Sequence, residues 1–306
     1  MDVVYDTLRK QKRNNYTQKK NNFKTLKCHP KHFTSKNHTL RKSCLEPKLL
    51  NTMKHIWNKR YPDNTIRTNK IKEIWKRLRQ NMASSCSNEM CWIDKTFQNN
   101  NKLKNIKKKL FAPVTPHSWK KNINEWLSSV ELIDVMKQYE ETFPEFKFFG
   151  PSPIDFDTIE YKNSCVWPEI CNINMKDLYH KKKNKLGFIF NTDKHYQGGS
   201  HWIAMFVDLD KKKSFFFDSN GTKEPREISK LMKKIKRQCD KNDLGPMDLD
   251  SNYRMEHQKT NTECGMYCLY FIISLLKNTH NMNYFKNKRI PDKHVENFRK
   301  IYFNHI

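Results

Sequence analysis

Residues 258–276 read QKTNTECGMYCLYFIISLL. From Met266 to Leu276 the run is apolar around almost its whole circumference, the pattern of a helix enclosed by a core on every side. Its eleven residues fall well short of the roughly 20 that a membrane-spanning helix needs. Cys264-Gly265 stands where the chain enters that helix. A thiol there meets unpaired backbone N–H groups and the positive end of the helix dipole, which favour the thiolate. Gln258, six residues earlier, can aim its amide N–H at a developing oxyanion, together with the backbone N–H of Cys264. Cys268, one turn into the helix, reads as a small buried hydrophobe.

Working towards the N-terminus, LGFIFN (186–191) reads as a buried strand, followed by a turn at Gly198-Gly199. HWIAMFVDLD begins a second strand at His201, with Trp202, Ala204, Phe206 and Asp208 alternating with Ile203, Met205, Val207 and Leu209. Lys211 to Lys213 form a polar turn, SFFFD returns to Asp218, and Asn220-Gly221 closes the hairpin. His201 starts one strand and Asp218 ends its antiparallel partner, so the two lie side by side. An acid beside an imidazole fixes its tautomer and favours the imidazolium. A thiolate facing an imidazolium is the activated nucleophile of acyl-transfer chemistry.

The remainder of the chain sets the context. It has 306 residues and a formal net charge of +27. Residues 1–120 hold 29 Lys+Arg against 7 Asp+Glu, whereas 121–306 hold 30 against 25, and all seven glycines fall in the second part. A basic front thus joins a nearly balanced back, which predicts 1–44 as a basic flexible arm, 45–117 as a basic helical domain and a second domain in the remainder. In the front, Leu50, Met53 and Trp57 recur at helical spacing, as do Ile71, Ile74, Trp75 and Leu78. Tyr61-Pro62-Asp63-Asn64 separates the two helices, and Pro113 and Pro116 mark a boundary. The charge suits an anionic partner, nucleic acid or an acidic core protein.

Met1-Asp2-Val3-Val4-Tyr5-Asp6 carries no signal-peptide pattern, and membrane insertion and secretion are not expected. Nine cysteines with no Cys-x-x-Cys pair read as reduced thiols. Cys28, His32, His38 and Cys44 have a spacing that matches no common zinc site, so no metal is expected, nor any other cofactor. Cys86 and Cys91, followed by Trp92, read as part of a small hydrophobic cluster.

His201-Trp202, Asp218 sixteen residues after the Trp, and Gln258-x5-Cys264-Gly265 resemble the signature of the Ulp1/adenain-type cysteine proteases. The likeness is greatest to the polyprotein-processing proteases of large DNA viruses, of the African swine fever virus and poxvirus type. Residues 126–139 are similar to the first helix of that family's catalytic domain, and the likeness runs from about 118 to 306. Residues 45–92 resemble the N-terminal domain of the viral enzymes more loosely. The resemblance implies an α+β fold, papain-like, with a central mixed sheet flanked by helices and the nucleophile at the N-terminus of a buried helix. It makes Cys264 the nucleophile, His201 the base, Asp218 the acid that orients His201, and Gln258 an oxyanion donor. Trp202 becomes a wall of the substrate cleft, and Asn220 is the fallback acid should the turn be offset. His257, next to Gln258, competes for the imidazole role but lacks the strand-hairpin context, and His195 lies before the Gly-Gly turn.

The function implied is cleavage of capsid or core precursors after Gly-Gly or Gly-Ala sites during virion maturation, in the host cytoplasm and virion or else in the nucleus. The Lys- and Asn-rich composition fits an AT-rich viral genome. Two alternatives stay open: a SUMO or ubiquitin-like deconjugating isopeptidase, and a nucleic-acid-binding virion protein with an idle protease fold.

Overall fold

A single mixed sheet of five strands, in the order β1-β2-β3-β4-β5, organises the C-terminal part of the chain. The computed structural model describes residues 23–34, 40, 43–97, 103–160 and 163–306. It divides into two units, Met1–Cys28 with Lys36–Phe111, and His29–Ser35 with Ala112–Ile306.

In the second unit the strands are β1 (Phe146–Pro153), β2 (Lys185–Asn191), β3 (Trp202–Asp208), β4 (Lys213–Phe217) and β5 (Asp248–Ser251). β2, β3 and β4 run antiparallel, while β1 and β5 add as parallel edges. Side chains alternate across a strand, and here both faces are covered. Ile203, Met205, Val207 and Phe216 pack with Ile228, Leu231, Met232 and Ile235, which lie on the helix Arg226–Lys241. Ala204, Phe206, Phe215 and Phe217 join the other core. That core is built on the helix Cys264–Leu276, in which every residue is buried. Burial on two faces is why the strands read as almost continuous apolar runs.

The helix preceding β1 spans Ser129–Thr142 and begins at a capping box, with the Ser128 side chain on the Val130 N–H and the Glu131 side chain on the Ser128 N–H. It therefore starts three residues later than the similarity at 126–139 suggests, leaving Trp126 and Leu127 outside it.

The first unit carries helices Pro47–Arg60, Ile71–Asn81, Glu89–Thr96 and Leu103–Leu110. Leu50, Met53, Ile74, Leu78, Trp92 and Ile93 form its core. Pro47 occupies the first turn of its helix, where its missing N–H would have no intrahelical partner. Asn88 caps the third helix through the Cys91 N–H.

Two expectations are corrected. Part of the stretch read as a flexible arm is packed: Leu26 and Cys44 are buried in the first unit's core, and His29 is also buried. Residues 1–22 lie outside the described residues. The cysteines are not all reduced. Cys28–Cys44, Cys86–Cys91 and Cys165–Cys171 are bonded, with Cα atoms 5.2, 5.5 and 6.3 Å apart. The chain folds back between each pair to within disulfide reach, something sequence spacing does not reveal. Cys239, Cys264 and Cys268 are free and buried. In the weighed zinc set, Cys28 and Cys44 bond each other and His38 lies outside the described residues.

Candidate active site

Strand pairing brings the end of one strand beside the start of another. With Ala204 opposite Phe217, His201 and Asp218 fall just beyond the paired residues, and His201 Nε2 meets Asp218 Oδ1 at 2.7 Å. The Cys264 thiol is also near enough to the imidazole to favour its protonated form. Burial works against the imidazolium, but the hydrogen bonds and negative charges of Asp218 and Cys264 outweigh it and raise the His201 pKa to about 9.

Asp218 is buried. Burial would push its carboxyl up, but the hydrogen bond and charge of His201 hold it below the usual carboxylate range, helped by Thr222 and the Asn220 N–H. Its backbone is clasped by the buried Asn252 side chain, which accepts from the Asp218 N–H at 2.9 Å and donates to the Asp218 carbonyl at 2.6 Å. Gly221 completes the turn at φ +68°, and a Cβ there would lie 2.7 Å from the Met255 backbone, so only glycine suits the position. Asn220 is exposed and offers its backbone N–H to Asp218 Oδ1 at 2.9 Å. The turn is not offset, and the Asp218 side chain faces His201.

Cys264 is the first residue of its helix and only 2% exposed. Glu263 just before it is fully buried against Arg299, whose Nε and Nη2 each reach its carboxylate at 2.9 Å. Arg299 Nη2 also donates to the Glu125 carbonyl, and the guanidinium lies 4.5 Å over the Trp119 ring. Gly265 is closely packed: a Cβ there would sit 3.0 Å from Leu127 Cβ and 3.2 Å from Trp202 Cδ1.

Gln258 is drawn to the same turn, its N–H bonding the Ser219 carbonyl at 2.9 Å and its Oε1 accepting from Ser219 Oγ at 2.9 Å. Trp202 donates its indole N–H to the Leu127 carbonyl at 2.8 Å. It lines a groove of about 650 Å³ together with Trp126, Leu127, Trp167, Gly198 and Gly199. The two competing histidines are accounted for. His257 is buried with Nε2 on the Phe285 carbonyl and Nδ1 accepting from the Ile290 N–H, and burial lowers its pKa to about 4. His195 lies between Asp155 and Glu160, 2.8 Å from each.

Cys264, His201, Asp218 and Gln258 thus converge around the end of one hairpin and the head of one helix, with Trp202 beside them. Sequence reasoning missed Ser219, Asn252 and the Glu263–Arg299 pair, whose partners lie far away in the chain and carry no periodic signal.

The fold and the site define a cysteine protease of the papain-like type. Residues 134–306 match the Ulp1 protease family, C-terminal catalytic domain, and the chain belongs to that family. It is 34% identical over 179 residues to a putative thiol protease of Acanthamoeba polyphaga mimivirus, covering 58% of this chain and 57% of the relative's length. A cysteine protease of African swine fever virus is 25% identical over 271 residues, covering 81% of this chain and 93% of the relative. The crystal structure of the African swine fever virus protease has the same fold, with TM-score 0.66 and 22% identity over 92% of this chain and 97% of that one.

Proposed function

We propose that this chain is a viral processing endopeptidase that cuts capsid or core precursors after small residues of the Gly-Gly or Gly-Ala kind. The contact of His201 with both the Asp218 carboxylate and the Cys264 thiol carries the reading. In this mechanism Cys264 Sγ attacks the carbonyl carbon, and the new oxyanion accepts N–H bonds from Gln258 and the Cys264 backbone. His201 gives its proton to the leaving amine as the C–N bond breaks, leaving a thioester. Water then attacks the thioester carbonyl, His201 takes the water's proton, and the thiolate departs with the acid product released. Asp218 holds the imidazole in register throughout. The preference for glycine is supported by the groove, where Trp202 and Gly198-Gly199 line the path and a substrate Cβ would meet the wall.

Work in the host cytoplasm and virion fits this role, with the nucleus as the alternative site. The basic N-terminal part, 29 Lys+Arg against 7 Asp+Glu up to residue 120, would dock on nucleic acid or an acidic core protein.

A second reading is favoured by the name "SUMO-1 cysteine protease" borne by a relative from another African swine fever virus isolate, 26% identical over 265 residues. Deconjugation of a ubiquitin-like modifier would use the same site. Covalent capture of Cys264 separates the two, with a short Gly-Gly peptide and full-length SUMO and ubiquitin all carrying the same warhead. Labelling by the peptide with no gain from the folded modifiers is the expected result, and strong preference for a modifier would replace the processing role with deconjugation. Cys264→Ala serves as the control and should fold normally without turnover; normal activity in that variant would end the protease assignment of this site.

A further inference from the structure

We propose that Ser219 is a positioning residue for the oxyanion hole, holding the Gln258 carboxamide so that one N–H is left for the substrate; this rests on the catalytic roles proposed above. A carboxamide has one acceptor oxygen and two N–H donors. Gln258 Nε2 donates to the Thr260 carbonyl at 2.6 Å, and a carbonyl can only accept, so the nitrogen end is fixed. The oxygen end then points at Ser219 Oγ, 2.9 Å away, and the hydroxyl must be the donor. One N–H and the oxygen are thereby engaged within the protein, and a single N–H remains.

The same serine also places the main chain of Gln258. Its carbonyl accepts from the N–H groups of His257 at 2.8 Å and Gln258 at 2.9 Å. Ser219 is 1% exposed and Gln258 4% exposed, so bulk solvent does not stand in for the hydroxyl. Asp218 precedes Ser219 directly, and Asn252 pins its backbone on both sides. Two adjacent residues of one turn therefore hold the imidazole and the carboxamide. The spacing between the proton carrier and the oxyanion donor is set by one peptide unit rather than by two separately folded loops.

The test compares Ser219→Ala, Gln258→Ala and the double variant in the full chain. The substrate is a Gly-Gly peptide with a fluorogenic amine as leaving group. Two thiol reagents accompany it. A Gly-Gly peptide aldehyde adds to sulfur and generates an oxyanion, while iodoacetamide alkylates sulfur without one. For Ser219→Ala we expect kcat to fall by up to about 100-fold, the loss that a misplacement of about 1 Å can cause. KM should change little, and aldehyde affinity should drop in parallel. The iodoacetamide rate and its pH profile should not move. The double variant should be no slower than Gln258→Ala, because Ser219 acts only through Gln258.

Additive losses in the double variant, or an iodoacetamide profile that shifts with kcat, would overturn the assignment and leave Ser219 a general structural residue. Normal kcat in Ser219→Ala alongside an impaired Gln258→Ala would overturn it too, with the catalytic roles intact. A silent Gln258→Ala is a separate failure, removing the oxyanion role of Gln258 and the Ser219 assignment with it. Should Ser219→Ala fold poorly, Ser219→Cys keeps the volume with a weaker donor; reduced kcat and aldehyde affinity are expected, and unchanged values would count against the proposal.

Discussion

His201 holds its proton unusually firmly, because burial is outweighed by Asp218 and the Cys264 thiol and its pKa rises from 6.5 to about 9. The acid form that protonates the leaving amine thus persists through neutral pH. The alkaline limb of kcat/KM should fall near pH 9, and Asp218→Asn should draw it down towards 6.5, read from a pH–rate profile. The same shift bears on stability: the His201 contribution is fully present below 6.5 and is lost as pH rises through about 9. Asp218→Ala should cost far more activity than Asn220→Ala, since Asn220 is exposed and offers Asp218 only a backbone N–H, which the alanine variant keeps. Arg299→Ala would strand Glu263, whose side chain is fully buried, and should lower unfolding free energy by about 3–5 kcal/mol in denaturant melts. Replacing both partners, Glu263→Gln with Arg299→Met, should recover much of that loss. At this scale the placing of His201 beside Asp218 and of Cys264 at a helix head was legible because strand ends and helix starts follow from local patterning, whereas Gln258, in the loop before that helix, was singled out by its spacing from Cys264. Asn252 and Arg299 were not, since either could pass for an ordinary loop polar or a surface cation until its distant partner is known.

Among the elements, the helix Cys264–Leu276 does most to join the fold to the chemistry. Its residues are buried throughout, so Leu269→Ala should lower stability by about 2–5 kcal/mol, measured by thermal or denaturant unfolding. Gly265→Ala acts differently. Its new Cβ would press on Leu127 and Trp202, so the groove wall shifts and kcat/KM for a Gly-Gly peptide should fall more than stability does. The alternation of β3 and the hairpin turn after it placed the sheet's central strands from sequence, and the all-round apolar run placed this helix between the core and the site. The start of the helix Ser129–Thr142 was misplaced by the similarity at 126–139, because the capping box at Ser128 and Glu131 was not read; it leaves Trp126 and Leu127 outside the helix, where they line the groove. Disulfide pairing was opaque, because it depends on how each segment folds back.

Across the whole molecule, charge and catalysis are segregated along the chain, and all seven glycines lie with the catalytic part. If the basic front docks on nucleic acid, binding by the full chain should weaken linearly in log salt, with a slope of about −0.9 per phosphate contacted on duplex DNA. Fluorescence anisotropy over a salt series measures it, and a flat response would turn attention to an acidic protein partner. None of the described helices is long and apolar enough to cross a membrane. The burial of Cys264, 2% exposed next to a groove walled by Trp202, carries a pharmacological consequence. With the thiol this little exposed, electrophiles aimed at Cys264 should be sorted by girth before reactivity. A glycine nitrile or vinyl sulfone on an unbranched peptide should therefore label Cys264 faster than a broad aryl warhead of greater intrinsic reactivity, read as inactivation rates measured side by side.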